Sequence, residues 1–301
     1  MSRSQREDGG APADAPVLDL HAHVISPDTA RYPVSPVGEG QASWALTRPV
    51  TAEQLAEESV RAGIARTLVV QASTSYGYDN RYLQDSVDAF PDRFRGVCCV
   101  DAFAPDAVTT IERWFADPNI VGMRVFYGGG RAAAPHDWIV DPAGAPAWRW
   151  ASEHGVPVGV YLAIESSPHV HDLVTRFPDL VLVVDHLADV TSAPGSLDDE
   201  ILASFLDLAD RPNVFMKVSS KNFLDVELGP PVARELLDRV VGCFGGQRMA
   251  WGSNYPSTAG PLEDLVLLAR RSLAGHPGGV VDDILGRTAL RLFPRAADGL
   301  G

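Results

Sequence analysis

From Val17 onward, short apolar runs alternate with longer segments in which apolar residues recur at helical spacing. The runs predict eight strands, near Val17–His23, Thr67–Gln71, Phe94–Val100, Val121–Phe126, Pro157–Leu162, Val181–His186, Val214–Val218 and Arg248–Gly252. Several are continuously apolar, as in Val181-Leu-Val-Val184, which suits strands covered on both faces in a parallel sheet. Helical patterns fill the intervals. Thr51-Ala-Glu-Gln54 opens one with a capping-box signature, and Asn80–Phe90, Asp106–Phe115, Ala147–His154, Pro168–Phe177, Glu200–Ala209, Pro231–Cys243 and Leu262–Ala274 continue the series. Each interval has room for a crossover helix, so the pattern predicts an α/β fold, a single (β/α)8 TIM-type barrel over residues 17–301. Residues 1–16 are polar and rich in Gly, Ala, Asp and Pro, and predict a flexible tail. The proline-punctuated stretch Ser26–Pro49 after strand 1 is a candidate substrate cover.

Composition changes this picture in two ways. A formal net charge of −14 argues against nucleic acid and anionic membranes as partners, because both repel an acidic surface. It leaves a small anionic substrate open, since a local arginine cluster can reverse the sign inside a pocket. The three cysteines, Cys98, Cys99 and Cys243, are odd in number and lack metal-ligand spacing. They read as small core residues in a reducing compartment. With no run long enough for a membrane span, the expectation is a cytoplasmic protein, with homo-oligomerisation compatible with the sequence.

In a parallel barrel the catalytic groups stand at the C-terminal ends of the strands. Strand 1 ends Asp19-Leu-His-Ala-His23, which puts the imidazoles of His21 and His23 on one face, able to bind one metal or polarise one substrate. Arg124 lies inside the apolar strand 4, where burial calls for an anionic partner. Tyr161 ends strand 5 as a hydrogen-bond donor or a packing residue. His186 ends strand 6, and Asp185 before it should point to the opposite side. Lys217 in strand 7 is one of only two lysines, with Lys221. Asn254, in Trp251-Gly-Ser-Asn-Tyr-Pro256, occupies the mouth position of strand 8. Arg131, in the Gly128-Gly-Gly-Arg131 tract, is a further candidate anion contact. His136, His154, His169 and His171 fall away from strand ends and read as surface or structural residues.

Taken together, these segments resemble the amidohydrolase-related hydrolases of the amidohydrolase superfamily. The resemblance rests on Asp19-Leu-His-Ala-His23, Asp79-Asn-Arg-Tyr-Leu83, Pro91-Asp-Arg-Phe-Arg-Gly96, Gly122-Met-Arg124, Asp185-His-Leu187, Lys217-Val-Ser219, Trp251-Gly-Ser-Asn-Tyr-Pro256 and Thr288-Ala-Leu-Arg-Leu-Phe293. The chain looks most like the lactonase branch, which contains 2-pyrone-4,6-dicarboxylate lactonase and sugar-lactone and sulfomuconolactone hydrolases. The resemblance implies that His21, His23 and His186 line the reaction centre. It implies that Arg124 binds a substrate carboxylate or carbonyl oxygen, with Tyr161 on a nearby oxygen and Ser73 and Ser75 as additional anion contacts. Two positions depart from the family pattern. Tyr161 stands where metal-dependent members carry His, a departure shared with the metal-independent pyrone lactonase. Asn254 stands where members carry Asp, and an amide takes no proton from water.

These readings converge on water attack at the carbonyl of a small, carboxylated lactone or related cyclic ester. A histidine, His186 or one of the His21/His23 pair, would act as base, with Arg124 and Tyr161 or Lys217 stabilising the oxyanion. The cofactor expectation is none or one divalent metal, zinc being the best match. The ligands would then be His21, His23 and His186, with Asn254 a weak fourth. Two alternatives stand beside it: a metal-dependent decarboxylase of an aromatic or muconic acid, and a catalytically impaired small-molecule-binding homologue.

Overall fold

A computed structural model describes residues 15–38, 40–127, 136–192 and 197–300. Residues 1–14 of the expected N-terminal tail therefore lie outside the described residues. Eight parallel strands run in chain order: β1 Val17–Ala22, β2 Ile64–Val70, β3 Phe94–Val100, β4 Ile120–Val125, β5 Val158–Val160, β6 Leu182–Val184, β7 Val214–Ser219 and β8 Met249–Gly252. Each pairs with the next. The sheet closes into a barrel where His23 N donates to Tyr255 O at 2.8 Å and Asn254 N donates to His21 O at 2.6 Å. Gly252 is required at this seam. A Cβ there would stand 2.6 Å from Cβ of His21, so only glycine lets β8 come this close to β1.

The strands formed where the apolar runs predicted them, though β5 and β6 are shorter at both ends than expected. Helices cover the outside. The one spanning Ala52–Arg61 carries the expected capping box, with Thr51 and Gln54 each satisfying the other's backbone N–H. A helix at Ser220–Leu228 escaped sequence reasoning because it begins directly at the end of β7, where the strand pattern obscures its start. Apolar side chains flank the sheet in two clusters. The smaller joins Leu18, Leu20, Leu68 and Val70 to Ala289, Leu292 and Phe293 of the closing helical segment. In β1 this leaves Asp19, His21 and His23 on the other face, as strand alternation requires.

One cysteine departs from expectation. Cys98 and Cys99 are buried in β3, but Cys243 is exposed. It falls beside the apolar stripe of Leu236, Leu237, Val240, Val241 and Phe244 on the helix Pro231–Phe244. No helix of the described residues is long and apolar enough to cross a membrane.

Candidate active site

The strand ends bring three imidazoles together. His21 Nε2 lies 3.2 Å from His23 Nε2, and the His186 ring sits with its centroid 4.8 Å from that of His21. His23 Nδ1 is 2.8 Å from the carbonyl oxygen of Val70. A carbonyl only accepts, so the His23 proton sits on Nδ1 and Nε2 carries a lone pair. His21 Nε2 must then be the donor between the two rings. Its own Nδ1 is left as an acceptor, and Lys217 Nζ stands 3.2 Å from it. The hydrogen bonds therefore run in one direction, from Lys217 through His21 and His23 to Val70. Neither ring nitrogen of His186 has a hydrogen-bond partner among the described residues, and its Nδ1 is fully buried.

Asp185 is the hub of the site. The sequence reading turned it away from His186, but the structure brings the two into one cluster: β6 ends at Val184, so strand alternation no longer applies at residue 185. Its carboxylate is fully buried and accepts from Arg124 Nε at 2.8 Å on one oxygen and from Lys217 Nζ at 2.7 Å on the other. Burial alone would raise its pKa, but Lys217 and Arg124 outweigh burial and hold the carboxyl below the usual range. Burial lowers the pKa of Lys217 against the pull of Asp185. Burial also drives the imidazoles towards neutrality. His21 falls well below the ordinary histidine value, His23 to about 3 and His186 to about 4, with the neighbouring cations adding to the effect.

The backbone after β6 is unusual. His186, Leu187, Ala188 and Asp189 all have positive φ, between 50° and 57°. Each such non-glycine residue costs about 1–2 kcal/mol, so the surroundings must impose the turn. Asn222, on the helix that sequence reasoning missed, does so. Its Nδ2 donates to the carbonyl oxygen of His186 at 2.8 Å and to Thr191 Oγ1 at 3.0 Å. Its Oδ1 accepts from Ser219 N. The strained turn aims His186 inward beside Asp185.

Aromatic rings and polar groups form the walls. Trp44, on the short helix Ser43–Thr47 in the segment after β1, stacks on His23 at 5.3 Å and 22°. The segment after β1 therefore reaches the histidine cluster through this tryptophan. Tyr161 stacks on Phe126 at 5.9 Å, Arg124 lies over both rings, and the Tyr161 hydroxyl donates to Asp189. Lys221 donates to the other oxygen of Asp189 at 3.0 Å. Ser73 Oγ accepts from Arg124 Nη1 at 3.3 Å. Ser75 is not brought to Arg124: its hydroxyl accepts from Gln41 Nε2. Asn254 is buried with φ 56°, and its Nδ2 donates to Thr258 Oγ1 at 3.1 Å. Arg131 lies outside the described residues. His154 and His171 bond to backbone carbonyls away from the site.

Sequence reasoning missed Trp44, Asp189, Lys221 and Asn222. Only Asp189 had a local signal, three residues past His186 in the loop that closes the strand.

Among the described residues, His21, Asp185 and His186 place one ligand-type atom each within 4.8 Å of one another. The donor types, with His23, suit zinc. Their hydrogen bonds do not fit one. Ligation through His21 Nε2 needs that ring's proton on Nδ1, which faces the Lys217 ammonium. Both oxygens of Asp185 are held by cations. As arranged, the cluster fits an anion or a developing oxyanion better than a further cation.

Comparison with known proteins agrees with this architecture. The family model described as amidohydrolase matches residues 18–295. The L-fucono-1,5-lactonase of Burkholderia ambifaria is 30% identical over 220 residues, covering 70% of this chain and 72% of that protein. A solved Pseudomonas putida protein named as a 2-pyrone-4,6-dicarboxylic acid hydrolase superposes with a TM-score of 0.74 at 22% identity, over 93% of this chain and 98% of that one. A Burkholderia multivorans amidohydrolase solved with bound zinc superposes with a TM-score of 0.73 at 20% identity, over 93% and 99%.

Proposed function

The chain belongs to the amidohydrolase family, and from that premise we propose that it hydrolyses a small lactone, preferably a carboxylated one, by direct attack of water at the barrel mouth. The observation that carries this reading is the placement of an uncommitted imidazole beside paired cations. His21 and His23 have both ring nitrogens engaged, whereas among the described residues His186 Nδ1 is buried with no hydrogen-bond partner. Arg124 and Lys217 converge on the single carboxylate of Asp185. Around that carboxylate the positive charge is in excess, which suits a substrate carboxylate or an oxyanion forming at the carbonyl. The lactonase similarity at 30% identity supports the same reaction class.

In this reading neutral His186 takes a proton from water as the water oxygen bonds to the lactone carbonyl carbon. The carbonyl oxygen becomes an oxyanion stabilised by Arg124 and Lys217. When the ring C–O bond breaks, the leaving oxygen recovers the proton from His186, giving the open hydroxy acid. Trp44 and the Phe126–Tyr161 pair provide flat apolar faces for the ring. Asn254 takes no proton in this scheme; it holds the β8 corner through His21 O and Thr258. A pH-stat assay of purified protein, with a sugar 1,5-lactone and a carboxylated pyrone lactone in parallel and chelator present, tests the proposal. Hydrolysis above the uncatalysed rate is expected, faster with the carboxylated compound. Acceleration of neither would overturn it.

A further inference from the structure

We propose that Lys217 fixes the tautomer of His21, and in doing so keeps the His21/His23 pair from taking up a metal ion. The argument is one of hydrogen-bond direction. Val70 O requires a proton on His23 Nδ1. The 3.2 Å contact between the two Nε2 atoms then requires a proton on His21 Nε2, since two lone pairs at that separation repel. Lys217 completes the order by donating to His21 Nδ1 while its ammonium is anchored on Asp185 Oδ1. All five groups are buried, so water does not compete for these bonds and the order is enforced.

Removing the ammonium lets the order reverse once a metal ion takes up both Nε2 lone pairs. His21 Nδ1 stands 3.8 Å from Asp185 Oδ1, close enough for a carboxylate to accept its proton after a small adjustment. That carboxylate–histidine arrangement is the one that presents Nε2 to a metal. Both Nε2 lone pairs would then face the same point. Lys217 is thus a positioning residue that selects metal-free chemistry in a donor set otherwise suited to zinc.

The test needs neither substrate nor turnover, so it stands apart from the lactonase reading. Nitrogen NMR of histidine-labelled wild-type protein, with the His21 signal assigned by its loss in His21→Gln, reads the tautomer directly. The expected result is an unprotonated Nδ1 and a protonated Nε2 on His21. A proton on His21 Nδ1 in the wild type would overturn the proposal. Lys217→Met keeps Asp185 paired with Arg124 and should let the His21 proton move to Nδ1 when added zinc takes up the two Nε2 lone pairs. Calorimetric titration with zinc alone should then show binding on the order of 10- to 100-fold tighter in Lys217→Met than in wild type. Equal zinc affinity in the two proteins would overturn the role assigned to Lys217. The wild-type spectrum decides the tautomer even if the variant does not fold.

Discussion

Asn222 Nδ2 holds the carbonyl oxygen of His186 at 2.8 Å, and with it a left-handed turn that the side chains of residues 186–189 would not choose. The bond ties a helix that starts at the end of β7 to the catalytic end of β6. Asn222→Ala should remove this donor, the bond to Thr191 and the acceptor for Ser219 N. Each buried group left unpaired costs about 1–3 kcal/mol. The expected outcome is a lower urea midpoint and a larger fractional loss in kcat than in KM, because His186 loses its aim and the binding walls do not. An unchanged kcat at reduced stability would show that the turn keeps its shape without Asn222.

With His186 as the proposed base, its lowered pKa sets the expected pH dependence of turnover. A base must be unprotonated, and burial holds this imidazole neutral until pH falls to about 4. The profile of kcat/KM should therefore be flat through neutral pH and drop with a limb near pH 4, well below an ordinary histidine. His186→Asn should lose roughly 10²–10⁴ in rate and the limb with it. A limb that survives the substitution would assign the base elsewhere.

The same buried imidazoles couple stability to pH. Their folded pKa values lie below the ordinary 6.5, so below pH 6.5 the unfolded chain binds protons that the folded one does not. Stability contributed by the neutral rings is full above pH 6.5 and declines as pH falls, by up to about 1.4 kcal/mol per ring per pH unit. For His186 the decline ends near pH 4, where the folded form also protonates. Urea unfolding at pH 7 and pH 5 should show this loss, and His186→Asn should lessen it.

Much of this was legible in the chain because hydrophobic spacing and strand alternation are local. The order β1 to β8, the His21/His23 face, Arg124 and Lys217 all follow from period-two patterns in buried strands. Asp185 was misplaced because β6 ends at Val184, two residues before the predicted strand end at His186. Trp44 and Asn222 were invisible for a different reason. Each acts across a long sequence separation, Trp44 on His23 through a covering segment and Asn222 on His186 from another strand's helix, and neither partner leaves a mark beside the other in sequence.

Trp44 should contribute to binding more than to chemistry. Its indole stacks on His23 at the rim of the site, where a bound lactone ring would meet it. Aromatic pairing is worth about 0.5–1.5 kcal/mol, so Trp44→Ala should raise KM roughly three- to tenfold and change kcat less. Tryptophan fluorescence gives a second readout: part of the ligand-dependent change should vanish in the variant. A fall confined to kcat would instead make Trp44 a support for His23.

Asn254 decides between an active hydrolase built on His186 and a homologue that has lost its base. Its backbone is left-handed, a conformation that aspartate tolerates as well as asparagine. Thr258 Oγ1, now an acceptor from Asn254 Nδ2, can donate to a carboxylate instead, so Asn254→Asp should fold. If residue 254 were an inactivated base, restoring the carboxylate would raise kcat many-fold and add its own pH limb. With His186 as base, kcat should stay within about tenfold of wild type and the limb near pH 4 should remain. The added negative charge also offsets the excess positive charge of Arg124 and Lys217, so KM for a carboxylated lactone should rise while that for a neutral sugar lactone changes less. Steady-state kinetics of the variant on both compounds separates these outcomes, since a regained base accelerates both substrates and a charge effect discriminates between them.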